Sequence, residues 1–94
     1  MSLESKYPTS TPREFTLSVL TEDKSGLLNQ LTIIFTKRKI NINSLNVSVT
    51  EVKGVSRFTI VTETSKDMID NIVKQIRKLI DVLGAFVYEE HQIF

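Results

Sequence analysis

The sequence predicts an α+β fold in which two helices cover one face of a four-stranded antiparallel sheet. Three observations carry this prediction. Apolar residues recur with a period of two, then of three to four, and back again, in the order strand, helix, strand, strand, helix, strand. Each of the two helical segments has one apolar stripe, and both stripes are buried together only against one side of a single sheet. The Lys53-Gly54 turn signal joins the two middle strands directly. Together these give the split βαβ, ferredoxin-like order βαββαβ.

The elements follow in order. Residues 1–13 contain Ser, Thr, charged residues and both prolines, Pro8 and Pro12, and read as a flexible leader before a domain spanning 14–94. Phe15, Leu17 and Val19 alternate with Thr16, Ser18 and Leu20, a strand with one strongly apolar face. From Gly26 to Arg38 the stripe is Leu27, Leu28, Leu31, Ile34 and Phe35, with Asp23 and Ser25 both able to cap the helix start. Lys37-Arg38-Lys39 closes this helix with positive charge, which reads as a solvated helix end complementing the dipole. Ile42, Leu45, Val47 and Val49 form a second strand, irregular near Asn43 or Ser44, and Val55 to Thr62 returns after the turn. Ser65 caps a second helix with the stripe Met68, Ile69, Ile72, Val73, Ile76, Leu79 and Ile80 and an Asp70–Lys74 pair on the polar side. Val82 to Tyr88, broken by Gly84, is the last strand, and Glu89 to Phe94 is a candidate extension of it.

Composition narrows the function classes. With 94 residues, 40% of them hydrophobic, and a formal net charge of +1, the chain suits one globular domain. A domain of this size buries little more than roughly 60% of its unfolded surface, so association with a second copy is an expected supplement to the core. An exposed sheet face and an open edge strand point the same way. Near-neutral charge gives no reason to expect nucleic acid or an anionic membrane as partner. The absence of cysteine excludes disulfides and thiolate metal sites. Met1 to Glu14 has no apolar signal core and no apolar run reaches a membrane span, so a cytoplasmic location is the expectation.

Catalytic candidates are few. His91 is the sole histidine, with no nucleophile or carboxylate constellation around it in sequence. Glu89 and Glu90 are neighbours whose side chains point to opposite faces of a strand, so they do not form an acid/base pair. RNA-binding versions of this architecture stack bases on aromatic residues of the central strands, and here the hairpin offers only Phe58 between Arg57 and Thr59, which reads as core or interface. No catalytic residue and no metal ligand is assigned.

The junction Leu20-Thr21-Glu22-Asp23-Lys24-Ser25-Gly26-Leu27-Leu28 is the most informative local feature. A strand ends in a polar turn and a helix begins, presenting unpaired N–H groups and partial positive charge, a natural site for a small carboxylate. Gly26 either lets a ligand approach those groups or eases helix–strand packing. Asn41 either bonds a ligand through its amide or is a left-handed helix-exit residue.

Leu17 to Leu28 resembles the opening of an ACT domain. Phe35-Thr36-Lys37-Arg38-Lys39-Ile40-Asn41-Ile42-Asn43-Ser44-Leu45-Asn46-Val47, Ser56-Arg57-Phe58-Thr59-Ile60-Val61 and Ile76-Arg77-Lys78-Leu79-Ile80-Asp81-Val82 resemble one branch of that family, the regulatory (small) subunit of acetohydroxyacid synthase, also called acetolactate synthase. The resemblance covers roughly Phe15 to Glu89. Asn41-Ile42 and Leu79-Ile80-Asp81-Val82 are its more specific parts, whereas ACT domains share the first loop generally.

The resemblance implies a non-catalytic homodimer that binds a branched-chain amino acid, typically valine, between subunits. Such a subunit docks on a thiamine-diphosphate-dependent catalytic subunit, raises its activity and confers feedback inhibition on branched-chain amino acid biosynthesis. It carries no cofactor itself, and the holoenzyme is a transferase. In that family the first-turn glycine and a loop asparagine hold the effector from one subunit, and the asparagine opening the second strand approaches from the other. Here these positions are Gly26, Asp23 and Asn41, and Lys24, Ser25, Leu27 and Ile42 are taken with them as effector-binding.

Three features depart from the family pattern. Asp23 replaces the usual asparagine; a carboxylate attracts an effector's ammonium and repels its carboxylate, and as a plain N-cap it needs no ligand. Lys39 stands where glycine is usual, which strains a left-handed backbone. Many members also carry a second domain, so the chain resembles the short type or a fragment. Ile33 is apolar but lies off the core-facing stripe, which makes it the expected contact with a second copy. The alternative reading is an amino-acid-sensing ACT module of another enzyme or of a transcriptional regulator.

Overall fold

A computed structural model of the chain describes residues 11–89. The elements are β1 (Arg13–Thr21), α1 (Lys24–Lys37), β2 (Ile42–Val49), β3 (Ser56–Thr64), α2 (Lys66–Arg77) and β4 (Val82–Tyr88). They form one antiparallel sheet in the order β2-β3-β1-β4, which is the predicted ferredoxin-like topology. The leader expected over residues 1–13 falls mostly outside the described residues, and β1 begins at Arg13, inside that span. Glu90, His91 and the expected tail extension also fall outside.

The core lies between the sheet and the helices. Phe15, Leu17 and Val19 of β1 pair with Thr62, Ile60 and Phe58 of β3 and turn the same way, all but inaccessible. Phe58 is therefore a core residue, not a stacking platform. Onto this face α1 lays Leu27, Leu31, Ile34 and Phe35, and α2 lays Ile69, Ile72, Val73 and Ile76. Each such side chain contributes about 1.5–3 kcal/mol of burial.

Both helical stripes are narrower than the sequence suggests. Leu28 is 44% exposed because it lies about 100° round the helix from Leu27, at the margin of the buried face. Ile80 is 95% exposed. α2 ends at Arg77, so helical spacing no longer decides where Ile80 points. Leu79, one residue earlier, is half-buried and packs on the core. Ser65 caps α2 as expected, accepting from the Met68 N–H at 3.1 Å. Asp70 pairs one turn back with Lys66 at 2.8 Å, not forward with Lys74. Both directions are available to a residue in mid-helix, and the bond is an exposed one of small value.

The basic run after α1 is not uniformly solvated. Lys37 and Lys39 are exposed, but Arg38 is half-buried and donates to Gln75 Oε1 at 2.9 Å, pinning the end of α1 to α2. Lys39 has φ +56°, the left-handed value expected at a helix exit, at a cost of about 1–2 kcal/mol for a side-chain-bearing residue. Next to it, Ile40 N donates to Phe35 O at 3.0 Å and closes the turn into β2.

The predicted irregularity in β2 is present: Ile42 pairs with Thr62 and Ser44 with Val61, leaving Asn43 as the extra residue. Gly54 turns the hairpin with φ +86°, and Thr50 Oγ1 accepts from Val52 N at 3.1 Å to stiffen it. β4 runs unbroken through Gly84; its irregularity is instead a bulge at Leu83, since Leu20 pairs with Gly84 and Thr21 with Val82. Arg13 and Glu89 close the far end with an ion pair of 3.4 Å, the guanidinium lying over the Phe15 ring. Glu89 thus has a structural partner. No helix among the described residues is long and apolar enough to cross a membrane.

Candidate functional site

The site grows from the end of β1. Alternation along that strand places Thr21 inward, and it is almost wholly buried. Its hydroxyl accepts from Asp23 N at 3.0 Å and donates to the Asp81 carbonyl at 3.1 Å. The same carbonyl accepts from Glu22 N at 2.9 Å. One buried threonine therefore fixes both the turn into α1 and the loop from α2 into β4, which are 60 residues apart in sequence.

On this base Asp23 caps α1. Its Oδ1 accepts from Gly26 N at 2.9 Å, and its carbonyl accepts from Leu27 N at 2.9 Å. Of the two candidate caps the structure uses Asp23; Ser25 lies inside the first turn. The cap bears directly on the anion site expected here. The Gly26 N–H is already held by a carboxylate of the chain itself, leaving the Lys24 and Ser25 N–H groups of the first turn for another acceptor.

Gly26 is explained by the same contact. A Cβ built on it would collide with the Asp23 carboxylate, lying 2.7 Å from Cγ. The group packed closest to this position is therefore the chain's own cap, and a side chain at 26 would turn it aside.

A pocket of about 150 Å³ opens beside this junction, lined by Thr21, Asp23, Gly26, Leu27, Gln30, Leu79, Ile80, Asp81 and Val82. It is smaller than the roughly 300–1,000 Å³ of a drug-sized site, which favours a guest of few heavy atoms. Asp23 and Asp81 are among the lining residues, no basic residue is, and Leu27, Leu79 and Val82 supply apolar wall. An ammonium group beside an aliphatic side chain matches that surface better than an isolated anion does.

The predicted site residues divide into two groups. Asp23, Gly26 and Leu27 line the pocket, and Lys24 and Ser25 are exposed in the same turn without lining it. Asn41 and Ile42 lie beyond the other end of α1, whose 14 residues span about 21 Å. Within one chain they do not reach the pocket. Asn41 is exposed and its carbonyl accepts from Thr62 Oγ1 at 2.7 Å. The left-handed residue at the helix exit is Lys39, so that reading of Asn41 is corrected. Ile42 is half-buried against the core. Ile33 is half-exposed on α1, off the buried face as expected.

Thr21, Gln30, Leu79, Ile80, Asp81 and Val82 line the pocket without having been read as site residues from the sequence. Thr21 carried one signal, as the next inward position after Phe15, Leu17 and Val19. Asp81 meets the junction only through the fold.

Comparison with known proteins gives a consistent result. The family described as the AHAS small subunit-like ACT domain matches residues 17–84. The acetolactate synthase small subunit of Mycobacterium bovis is 45% identical over 84 residues, covering 88% of this chain and 50% of the relative. That of Buchnera aphidicola is 41% identical over 78 residues, covering 83% and 49%. The chain thus spans about half the length of these curated relatives. Among solved structures, the acetolactate synthase small subunit from Thermotoga maritima superposes with a TM-score of 0.71 at 31% identity, covering 83% of this chain and 48% of that one. The ACT domain from GTP pyrophosphokinase of Chlorobium tepidum superposes with a TM-score of 0.68 at 20% identity, a likeness of fold alone.

Proposed function

The chain belongs to the AHAS small subunit-like ACT domain family, and on that premise we propose that it is a non-catalytic regulatory module of acetohydroxyacid synthase. It senses a branched-chain amino acid, valine or a close analogue, and transmits occupancy to a thiamine-diphosphate-dependent catalytic subunit. The observation that carries this reading is the small pocket at the start of α1, lined by Asp23 and Asp81 together with aliphatic residues. In it the effector's ammonium meets Asp23 and its side chain meets Leu27 and Leu79. Its carboxylate is left for the Lys24 and Ser25 N–H groups and for groups brought by a second copy.

The separation of Asn41 from the pocket supports a homodimer. With about 21 Å of helix between them, Asp23 and Asn41 act on one effector only when Asn41 comes from the other subunit. Ile33 then belongs to the contact between copies.

Calorimetric titration of the purified chain with valine, leucine, isoleucine, serine and phenylalanine tests the ligand class. Saturable heat with the branched-chain amino acids and none with serine or phenylalanine is the expected result. Saturation by serine or phenylalanine alone would move the chain to the alternative, a sensor serving another enzyme or a transcriptional regulator. Silence with all five would remove the pocket of the isolated chain as an effector site.

A further inference from the structure

A four-stranded sheet has two edges, and each presents outward N–H and C=O groups to which another strand can pair. The direction of these groups on β4 follows from one bond. Glu22 N donates to Asp81 O, so the Glu22 N–H points towards β4. Directions repeat at every second residue of an extended strand, so Leu20 also faces β4 and Val19 faces β3. The bulge lies in β4 at Leu83 and leaves this alternation along β1 undisturbed. Ala85, opposite Val19, therefore turns its carbonyl away from β1, towards the outer edge.

That carbonyl is occupied. Arg77, the last residue of α2, brings Nε to 2.9 Å and Nη2 to 2.6 Å from Ala85 O, so two donors of one guanidinium converge on one edge acceptor. We propose that Arg77 closes the β4 edge against strand addition by another copy of this chain. An incoming strand would have to displace a charge-assisted bond from the acceptor it needs, and the bulge at Leu83 throws the neighbouring positions out of register. The guard has something to protect, because Leu83 and Phe86 flank this edge and are more than half exposed. β2 has no such device: from Ser44 to Val49 it runs in regular register with β3, and among the described residues no side chain bonds its outer edge. The proposal holds whatever ligand the pocket at α1 takes.

Sedimentation velocity of the whole chain over a range of concentrations tests it. Arg77→Met keeps the aliphatic stem and removes the guanidinium. It is expected to add species of about twice the wild-type mass or more, increasing with concentration. Arg77→Gln, which keeps a polar head at the helix end, is expected to do the same and serves if the methionine variant does not fold. Adding Leu83→Lys to either variant puts a charge on the same edge and is expected to restore the wild-type distribution. Wild-type sedimentation of the folded Arg77 variants at every concentration overturns the proposal, as does association that persists with Leu83→Lys.

Discussion

At one end of the sheet, β2 leaves α1 through a left-handed lysine, absorbs an extra residue at Asn43 and then runs regularly, with Val47 and Val49 exposed. At the other end, β4 is bulged at Leu83, clamped to α2 by Arg77 and tied to the exit of β1 through Thr21 and Asp81. The two edge strands are similar in length and lie in one sheet, yet among the described residues only β4 has a side chain bonded to its outer edge; β2 is tied at its entry, where Thr62 Oγ1 donates to the Asn41 carbonyl. The candidate pocket sits on that tied side. Under the proposed function, the open β2 edge is the one available to a second copy, and the tied β4 side is where a small guest would be read.

The largest test of this contrast is a pair of truncations. Ile76→Ala, in the fully buried seam of α2, is expected to lower stability by about 2–5 kcal/mol in urea denaturation, whereas Leu45→Ala on half-buried β2 should lose less than about 2 kcal/mol. Equal losses would mean that the two ends are held alike. Next comes the polar tie. Thr21→Val preserves shape but strands Asp23 N without its acceptor, an expected cost of about 1–3 kcal/mol. Thr50→Val, in the more accessible β2–β3 turn, should cost less than about 1 kcal/mol because water replaces the lost bonds. A reversal of that order would break the comparison. Last is Ile33→Asp, whose half-exposed side chain lies outside the core of its own protomer. Its readout is mass: sedimentation should fall from dimer to monomer, and an unchanged dimer would remove Ile33 from the interface.

Much of this architecture was legible because local chemistry and global fold agree. Asp23 and Ser65 mark both helix starts, Gly54 marks the hairpin, and alternation in β1 names the inner face. The misreadings differ in source, and one of them shows that periodicity is a property of a continuing element. Ile80 fits the α2 stripe in sequence, but the helix has stopped. Gly84 looked like a break in β4 because glycine disfavours strands, whereas the irregularity sits one residue earlier, where β1 imposes its register. The pocket was half visible. Its α1 side is a contiguous motif, but Gln30 and the Leu79–Val82 wall arrive only through folding, and Asp81 joins Thr21 across 60 residues. Arg77 as a partner of Ala85 was equally hidden, since an exposed arginine at a helix end already has a sufficient local reason in the dipole.

The carboxylate of Asp23 occupies the space into which a side chain at 26 would grow. A Cβ at 26 is accommodated by turning that carboxylate aside, so a substitution at 26 reaches the pocket through Asp23, which lines it.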